Sequence, residues 1–226
     1  LLLAKTEREG AWREMARQVA HEIKNPLTPI KLSVQHLQAT SKFDDGNWQN
    51  KFNTTMAMII QQIESLDRIA SEFSDFAKMH QGSQEKVDVK KAIRDVVTLF
   101  SNSAVEFDTG GVEDGLFVHI DPDAFRRVLG NIIKNATQAL NETQNPRITL
   151  RSNLVNDSIV IDVEDNGPGV PMDLLDKIFQ PNFTTKTSGA GLGLAICQQI
   201  LESANGQISL MSVNPSIFQL SLPTKG

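Results

Sequence analysis

The chain has 226 residues, of which 40% are hydrophobic and 22% charged, and this composition excludes a wholly disordered protein. Its formal net charge of −5 disfavours nucleic acid or an anionic membrane surface as the main partner. Cys197 is the single cysteine, so an internal disulfide framework is excluded. The sequence contains no run of about 18 apolar residues, so it predicts no membrane-spanning helix. The first residue, Leu1, suggests a fragment of a longer or processed protein.

Residues 11–80 have the periodicity of two helices separated by a turn-forming segment at residues 40–47. The spacing predicts an αα-hairpin, and because one hairpin buries little surface, two are expected to dimerise into a four-helix bundle. A monomeric hairpin lying against the rest of the chain is the alternative. Apolar residues recur in steps of three or four along two stripes, which are Trp12, Met15, Val19, Ile23, Leu27, Ile30, Val34 and Leu37, then Phe52, Met56, Ile59, Ile63, Leu66, Ala70, Phe73 and Ala77.

Residues 81–86 are polar and glycine-containing, which predicts a linker between a helical region at 1–80 and a second domain at 87–226. The second domain alternates strand-like and helix-like segments, and several strands follow each other through tight turns. We therefore predict a multidomain protein, α followed by α+β, whose second part is a mixed sheet with helices on one face. The predicted strands are 87–89, 104–107, 116–120, 147–154, 158–164, 207–213 and 217–222, and the predicted helices are 90–102, 122–140, 172–178 and 192–204.

A histidine stands on the polar side of the first helical stripe. At about 100° per residue, His21 lies about 200° from Val19 and Ile23, so it is expected to face solvent. Neutral imidazole is a nucleophile, and Glu22 can accept or orient its ring proton. Asn25 shares the face of His21 and can hydrogen-bond a water beside the ring. An ordinary surface histidine is the alternative.

Two prolines, Pro26 and Pro29, follow this histidine. Proline inside a helix costs about 3 kcal/mol because it removes a hydrogen bond and clashes with the preceding turn. The stripe nevertheless continues in register to Leu37, which favours a bent, continuous helix over one that ends at Asn25. A kink that the helix keeps beside His21, despite this cost, favours a functional role for this histidine. Zinc is disfavoured, because no second histidine or cysteine lies nearby at ligand spacing.

Three further motifs, in the second domain, have the character of a nucleotide site. Asn131 and Asn135 lie four positions apart on one helix face, and carboxamide oxygens suit Mg²⁺. Asp165 follows a strand, and its carboxylate can accept a hydrogen bond from an exocyclic amine such as that of adenine. Gly167 and Gly169 can bring the backbone close to a flat ring. Each motif alone also fits an ordinary helix surface or turn.

The third motif is a glycine-rich turn, with Gly189, Gly191 and Gly193, that opens a helix. Backbone N–H groups at such a turn suit phosphate. Residues 178–186 before it predict a mobile lid anchored by two phenylalanines, with Lys186 able to reach phosphates. The Walker pattern and the eukaryotic kinase motifs do not occur in the sequence.

Together, five segments in this order resemble the cytoplasmic core of bacterial sensor histidine kinases of two-component systems. Residues 21–26 look like the H box, 131–135 the N box, 165–169 the G1 box, 178–183 the F box and 189–193 the G2 box. The resemblance covers residues 11–226. The runs His-Glu-Ile-Lys-Asn-Pro-Leu-Thr-Pro-Ile, Glu-Phe-Ser-Asp-Phe-Ala and Phe-Thr-Thr-Lys are similar to the nitrogen-regulation branch of the family.

The resemblance implies a dimeric phosphotransfer bundle followed by an ATP-binding α/β sandwich of the gyrase/MutL/heat-shock-ATPase type. It implies His21 as phosphoacceptor, Glu22 as its acid/base partner, and Asn25 as the residue that positions water for dephosphorylation of a response regulator. Asn135, with Asn131, would coordinate Mg²⁺, and Asp165 would recognise the adenine of ATP.

The expected activity is autophosphorylation of His21 followed by transfer to an aspartate of a receiver domain. The family further implies a homodimer, a cytoplasmic fragment, and upstream sensor segments that anchor the full-length protein in the inner membrane. An ATPase of the same superfamily and a non-catalytic dimeric scaffold are the alternatives. One departure concerns Gln138, which stands where many family members have lysine, so Lys134, Arg127 or Lys186 would have to neutralise the phosphates.

Overall fold

The computed structural model divides the chain into two compact units, Leu1–Ala77 and Lys78–Gly226. It describes residues 2–40, 48–78, 83–180, 183–185 and 191–224. Within the helices, the side chains of residues 2–18, 21, 40, 68 and 71–78 lie outside that description.

The first unit is built from two long helices, α1 (Leu2–Thr40) and α2 (Trp48–Lys78). Helix α1 runs unbroken through Pro26 and Pro29, as the continuous apolar stripe predicts. Between the prolines, the hydroxyl of Thr28 donates to the carbonyl of Lys24 at 3.0 Å. Such a bond from a side chain to the carbonyl four residues back is common where a helix bends.

The buried face of the hairpin differs from the predicted stripe in part. In α1 most of the buried or half-buried positions follow a seven-residue repeat of their own, at Val19, Ile23, Pro26, Ile30, Ser33 and Leu37, and Glu22 and Pro29 are half-buried beside it. Leu27 and Val34 of the predicted stripe are instead exposed. In α2, Ile69 is buried where Ala70 was predicted, and Ile63 is 52% exposed. The reason is that apolar residues fill two adjacent helix faces, and a single hairpin covers only one of them.

The second unit contains three helices and seven strands among the described residues, and a five-stranded sheet is its centre. The elements are β1 (Glu85–Asp88), α3 (Val89–Leu99), β2 (Glu106–Val112), β3 (Phe117–Ile120), α4 (Pro122–Ala139), β4 (Arg147–Val155), β5 (Ser158–Asp165), α5 (Gly193–Ser203), β6 (Gln207–Val213) and β7 (Ser216–Pro223). The strand order of the central sheet is β2-β4-β5-β7-β6, with β2 parallel to β4 and the other pairs antiparallel, while β1 and β3 form a separate antiparallel pair. This confirms the predicted mixed sheet.

The local sequence explains where α4 begins and which side it buries. Asp121 accepts hydrogen bonds from the backbone N–H groups of Asp123 and Ala124, and Pro122 occupies the first turn, where it leaves no bond unmade. The polar face carries Asn131 and Asn135. The apolar face is buried in the core and consists of Ala124, Phe125, Val128, Leu129, Ile132, Ile133 and Ala136.

Several element boundaries differ from the sequence prediction, and α3, predicted at 90–102, ends at Leu99. β2 occupies Glu106–Val112 rather than 104–107, and the predicted helix at 172–178 contains only a 3₁₀ turn at Met172–Leu174. Strand β1 begins inside the predicted linker, because Glu85 and Lys86 pair with β3 despite their polarity. The division at residues 1–80, 81–86 and 87–226 otherwise stays a prediction.

Candidate functional site

A carboxylate occupies an inward position at the end of β5. Side chains of this strand alternate between the core and the other face, and Asp165 takes the place that the alternation gives to a core residue, with 3% exposure. Burial raises the pKa of Asp165, while hydrogen bonds from the Gly167 N–H, at 3.0 Å, and from Ser216 lower it, and the charge of Glu164 raises it. The net direction is upward. The strand end therefore presents a desolvated hydrogen-bond acceptor.

The hydroxyl partner of this carboxylate, Ser216, was missed in the sequence. It is buried, and it is paired in register with Asp165 across β5 and β7. The signal that could have found it is the alternation of β7, in which Phe218, Leu220 and Leu222 face the core and a polar residue takes the first inward place. A buried serine opposite a buried aspartate marks the pair as one polar unit.

The two glycines after Asp165 are both sterically required. A Cβ at Gly167 would lie 2.8 Å from the carboxylate oxygen of Asp165. Gly169 has φ +87°, and a Cβ there would lie 2.3 Å from the carbonyl oxygen of Val213. The turn is held in place by the Val170 N–H, which donates to the same carbonyl at 2.9 Å. At Gly167 and Gly169 this turn therefore presents bare backbone beside the carboxylate.

We expect Gly169→Ala to destabilise the second unit more than Gly115→Ala does. Both glycines have positive φ, which costs a residue with a Cβ roughly 1–2 kcal/mol, but nothing lies within 4 Å of a Cβ at Gly115. The clash with Val213 should add at least about 1 kcal/mol at Gly169. Urea unfolding of the two variants measures the difference in the free energy of unfolding, and equal losses would contradict the tight turn.

Helix α4 connects the aspartate turn to the start of α5. A Cβ at Gly167 would lie 3.5 Å from the carbonyl of Ala139, at the C-terminal end of α4. Earlier in α4, the Asn131 amide nitrogen donates to the carbonyl of Gly193 at 3.4 Å. The structure therefore brings the predicted asparagine and glycine motifs together. Asn135, one turn after Asn131, is half-buried.

The donor set of α4 suits a hard, hydrated cation. Asn131 and Asn135 offer neutral carboxamide oxygens, which Mg²⁺ accepts when it also keeps waters and phosphate oxygens. Among the described residues, no group of three or more His, Cys, Asp or Glu side chains is placed to hold a metal ion. The carboxamide oxygens of Asn131 and Asn135 are of the kind that magnesium accepts.

The start of α5 is a glycine turn. Gly191 has φ +67°, and Leu192, whose side chain has no acceptor, stands at the N-cap of the helix that begins at Gly193. The first N–H groups of such a helix suit an anion. Before this turn, Phe179 packs edge-on against Phe218 of β7, with ring centroids 6.5 Å apart. Lys186 and Gly189 lie outside the described residues.

The histidine segment is part of α1 in the first unit. Val19 is buried and Ile23 half-buried, whereas Asn25 is exposed and Glu22 half-buried. The His21 side chain lies outside the described residues, so its orientation toward solvent stays a prediction. The face that carries Asn25 is the face expected for His21, since the two positions are four residues apart.

Two family models together match most of the chain. The His Kinase A (phospho-acceptor) domain matches residues 11–82, and the Histidine kinase-, DNA gyrase B-, and HSP90-like ATPase matches residues 120–226. The catalytic domain of histidine kinase ThkA has 32% sequence identity and a TM-score of 0.55, and the match covers 63% of this chain and 96% of that one. The chain belongs to the sensor histidine kinase family. The family resemblance and the fold class predicted from sequence are thereby confirmed.

Further sensor kinases resemble the chain over most of its length. Nitrogen regulation protein NtrY of Azorhizobium caulinodans is 37% identical over 218 residues, which are 92% of this chain and 28% of that protein. The histidine-protein kinase AtoS of Escherichia coli is 30% identical, over 98% of this chain and 36% of that protein. ThkA in complex with the response regulator TrrA matches 97% of this chain and 64% of that one, with 26% identity and a TM-score of 0.72.

The NtrY likeness supports the nitrogen-regulation branch of sensor kinases that the sequence motifs indicate. The chain spans only about a third of the length of these curated relatives. Within the described part of this family member, no helix is both long and apolar enough to cross a membrane. The predicted site residues stay predictions, apart from the positions and contacts reported above.

Proposed function

We propose that this sensor kinase core uses ATP to phosphorylate His21 and then passes the phosphoryl group to an aspartate of a response regulator. The observation that carries the proposal is the buried Asp165 carboxylate, held by Gly167 and Ser216 beside a turn that only glycine can form. A desolvated acceptor next to bare backbone suits the amine edge of a purine ring. The matches to a phospho-acceptor domain and to an ATPase domain support this reaction class.

The nucleotide would be held by adenine and phosphate contacts on different elements. Asp165 accepts a hydrogen bond from the exocyclic amine, and Gly167 and Gly169 leave room for the ring. The N–H groups at the start of α5, with the glycines at 189, 191 and 193, receive the phosphates. Lys186, Lys134 or Arg127 supplies positive charge in place of the lysine that Gln138 replaces.

Asn135 and Asn131 would hold Mg²⁺ through their carboxamide oxygens. The ion supplies neutralisation of the phosphate charge that develops during transfer. The chain's own contribution is to position these amides on one rigid face of α4, where the opposite face is buried in the core.

On α1, His21 provides the nucleophilic ring nitrogen. As the nitrogen–phosphorus bond forms, the bond between the γ-phosphorus and the oxygen of the departing ADP breaks, and Glu22 takes the ring proton. Asn25, which is exposed and lies on the face expected for His21, would position a water that hydrolyses the phosphorylated regulator. Kinase and phosphatase activities would thus use neighbouring side chains.

A homodimer and a receiver domain are the proposed protein partners. The apolar residues of α1 and α2 that one hairpin leaves exposed, among them Leu27, Val34 and Ile63, are suited to pack against a second copy. The ThkA complex with TrrA supports a response regulator as the second partner. Because the reaction consumes ATP, we place the fragment in the cytoplasm, attached to sensor segments that anchor the full-length protein in the inner membrane.

Incubation with γ-labelled ATP and Mg²⁺ tests the proposal against its alternatives. We expect label on the protein that is stable to base and labile to acid, as a phosphoramidate is. Release of free phosphate without labelled protein would instead indicate an ATPase of the same superfamily. Neither label nor free phosphate would indicate a non-catalytic scaffold that binds a regulator.

A further inference from the structure

The residue between the candidate adenine contact and the glycine turn joins the end of β5 to the start of β4. Asn166 donates through its backbone N–H to the carbonyl of Arg147 at 3.2 Å. Its side-chain oxygen accepts from the Arg147 N–H at 2.7 Å, and its side-chain nitrogen donates to the carbonyl of Asn145 at 3.0 Å. An asparagine carboxamide has both the acceptor and the donor that these two bonds require. Hydrogen bonds from its backbone and from both ends of its side chain thus attach this one residue to residues 145–147.

These bonds explain why β5 ends where it does. Asp165 pairs with Ile148 at the end of the register between β4 and β5. In a regular antiparallel ladder the next pair, Arg147 and Asn166, would exchange two backbone hydrogen bonds. Here the side-chain oxygen of Asn166 replaces its backbone carbonyl in the second bond, so the chain can leave the sheet directly after Asp165. The departing backbone brings the Gly167 N–H to the Asp165 carboxylate at 3.0 Å.

The segment that receives these bonds is itself held in place. The carbonyl of Pro146 accepts from the Glu106 N–H at 2.9 Å, and the guanidinium of Arg147 donates to the Glu106 carboxylate, also at 2.9 Å. Glu106 is the first residue of β2, which pairs with β4 in the central sheet. Asn166 therefore joins the aspartate turn to a segment that is anchored on the neighbouring strand.

We propose that Asn166 is a positioning residue that determines how selectively the site binds adenine. Its carboxamide fixes the backbone directly after Asp165, and thereby fixes the direction of the Asp165 carboxylate toward the 6-amino group of the purine. Asn166 acts through Asp165 and not on the nucleotide itself. This inference rests on the proposed function, since it assumes that Asp165 receives the adenine amine.

Comparison of ATP with purine riboside triphosphate, the analogue without the 6-amino group, tests the proposal. Calorimetric titration of each nucleotide with Mg²⁺ gives two dissociation constants, and their ratio measures how much the amine contributes to binding. Effects on the phosphate end of the site, including those of an added charge, change both constants alike and cancel in the ratio. We expect Asn166→Ala to reduce the ratio by about two- to tenfold, the worth of one hydrogen bond.

Two conservative variants separate the side-chain bonds from side-chain size. Asn166→Asp keeps the oxygen that accepts from the Arg147 N–H, so it should retain a larger ratio than Asn166→Ala. Asn166→Gln keeps both polar groups but places them one methylene further from the backbone. It should therefore reduce the ratio as Asn166→Ala does, and it takes the place of the alanine variant if that variant does not fold.

Thermal unfolding of the same variants separates positioning from stability. Ile159→Val, a buried change near the opposite end of β5, should lower the melting temperature and leave the ratio unchanged. Asn153→Ala makes the same chemical change at an exposed position of β4 and should also leave the ratio unchanged. Only the changes at Asn166 should alter the preference for the amine.

The outcomes that overturn the inference are distinguishable from failure of the proposed function. If the parent chain prefers ATP, and Asn166→Ala and Asn166→Gln keep the parent ratio, Asn166 does not position Asp165, while the proposed function stands. Equal ratios in Asn166→Asp and Asn166→Ala would overturn the role of the side-chain oxygen. If the parent chain binds both nucleotides equally, the adenine contact at Asp165, which carries the proposed function, fails together with this inference.

Discussion

The His21→Gln variant is expected to show no base-stable label from γ-labelled ATP, while its dissociation constant for ATP stays that of the parent chain. Glutamine has a side chain of comparable size and is compatible with a helix, but its amide nitrogen is not a nucleophile. The loss should therefore be complete, down to the background of the assay. Filter binding and gel autoradiography of the purified protein measure it.

A second histidine of α1 provides the matched control. His36 is exposed on the same helix, fifteen residues beyond His21, and His36→Gln makes the same chemical change. This variant should be labelled like the parent chain. Label that persists in His21→Gln, or that disappears in both variants, would move the phosphoacceptor elsewhere or indicate a general effect on the hairpin.

The Asp165→Asn variant is expected to lose ATP affinity by about 10- to 150-fold, which corresponds to one hydrogen bond to a charged group, roughly 1.5–3 kcal/mol. The neutral amide is a weaker acceptor for the adenine amine. The label on His21 should fall with occupancy of the site. Calorimetric titration measures the affinity, and Asp173→Asn, at an exposed position, should bind like the parent chain.

The same substitution has a predictable effect on stability. Burial raises the pKa of Asp165 above its ordinary 3.8, so ionisation of this carboxyl opposes folding. The penalty is missing at a pH well below 3.8 and is fully present above the folded pKa. Asparagine does not ionise, so the Asp165→Asn variant has no such penalty at any pH. Its hydrogen bonds to Gly167 and Ser216 are, however, neutral and therefore weaker.

We therefore expect the stability of Asp165→Asn relative to the parent chain to rise as the pH increases from acidic to neutral. Urea unfolding at several pH values gives this difference in the free energy of unfolding. A variant that retains normal ATP affinity would contradict the adenine contact. A stability difference that falls with increasing pH would contradict the direction of the pKa shift.

Local patterns in the sequence predict most of the second unit because each pattern corresponds to one geometry. The apolar positions of α4 repeat with the helical period, and the helix lies over Pro122–Ala139, close to the predicted 122–140. The turn at Asn156 and Asp157 connects β4 to β5 with both residues at positive φ, as expected for a tight hairpin.

Other features depend on pairings that the sequence does not contain. Ser216 joins the candidate site only because β7 pairs in register with β5, which brings together two segments far apart in the chain. Likewise, Glu85 and Lys86 are polar enough for a linker, and only their pairing with β3 makes them a strand. Local composition cannot supply such partners.

In the hairpin, the sequence cannot decide between two adjacent apolar faces. Leu27 and Pro26 are neighbours, and so are Ala70 and Ile69, and either member of each pair fits a helical stripe. The structure of one chain buries Pro26 and Ile69 and leaves Leu27 and Ala70 exposed. Which face meets a second copy depends on the partner and is not contained in the periodicity of one helix.

Peptide mapping after incubation with Mg²⁺–ATP tests phosphorylation of His21 most directly. Trypsin cleaves after Arg17 and Lys24, so residues 18–24 form one peptide whose single histidine is His21 and which contains no serine, threonine or cysteine. Under basic conditions, which preserve phosphohistidine, we expect mass spectrometry to find one phosphoryl group on this peptide. A phosphoryl group confined to another peptide, or none on a chain that has bound ATP, would contradict the proposal.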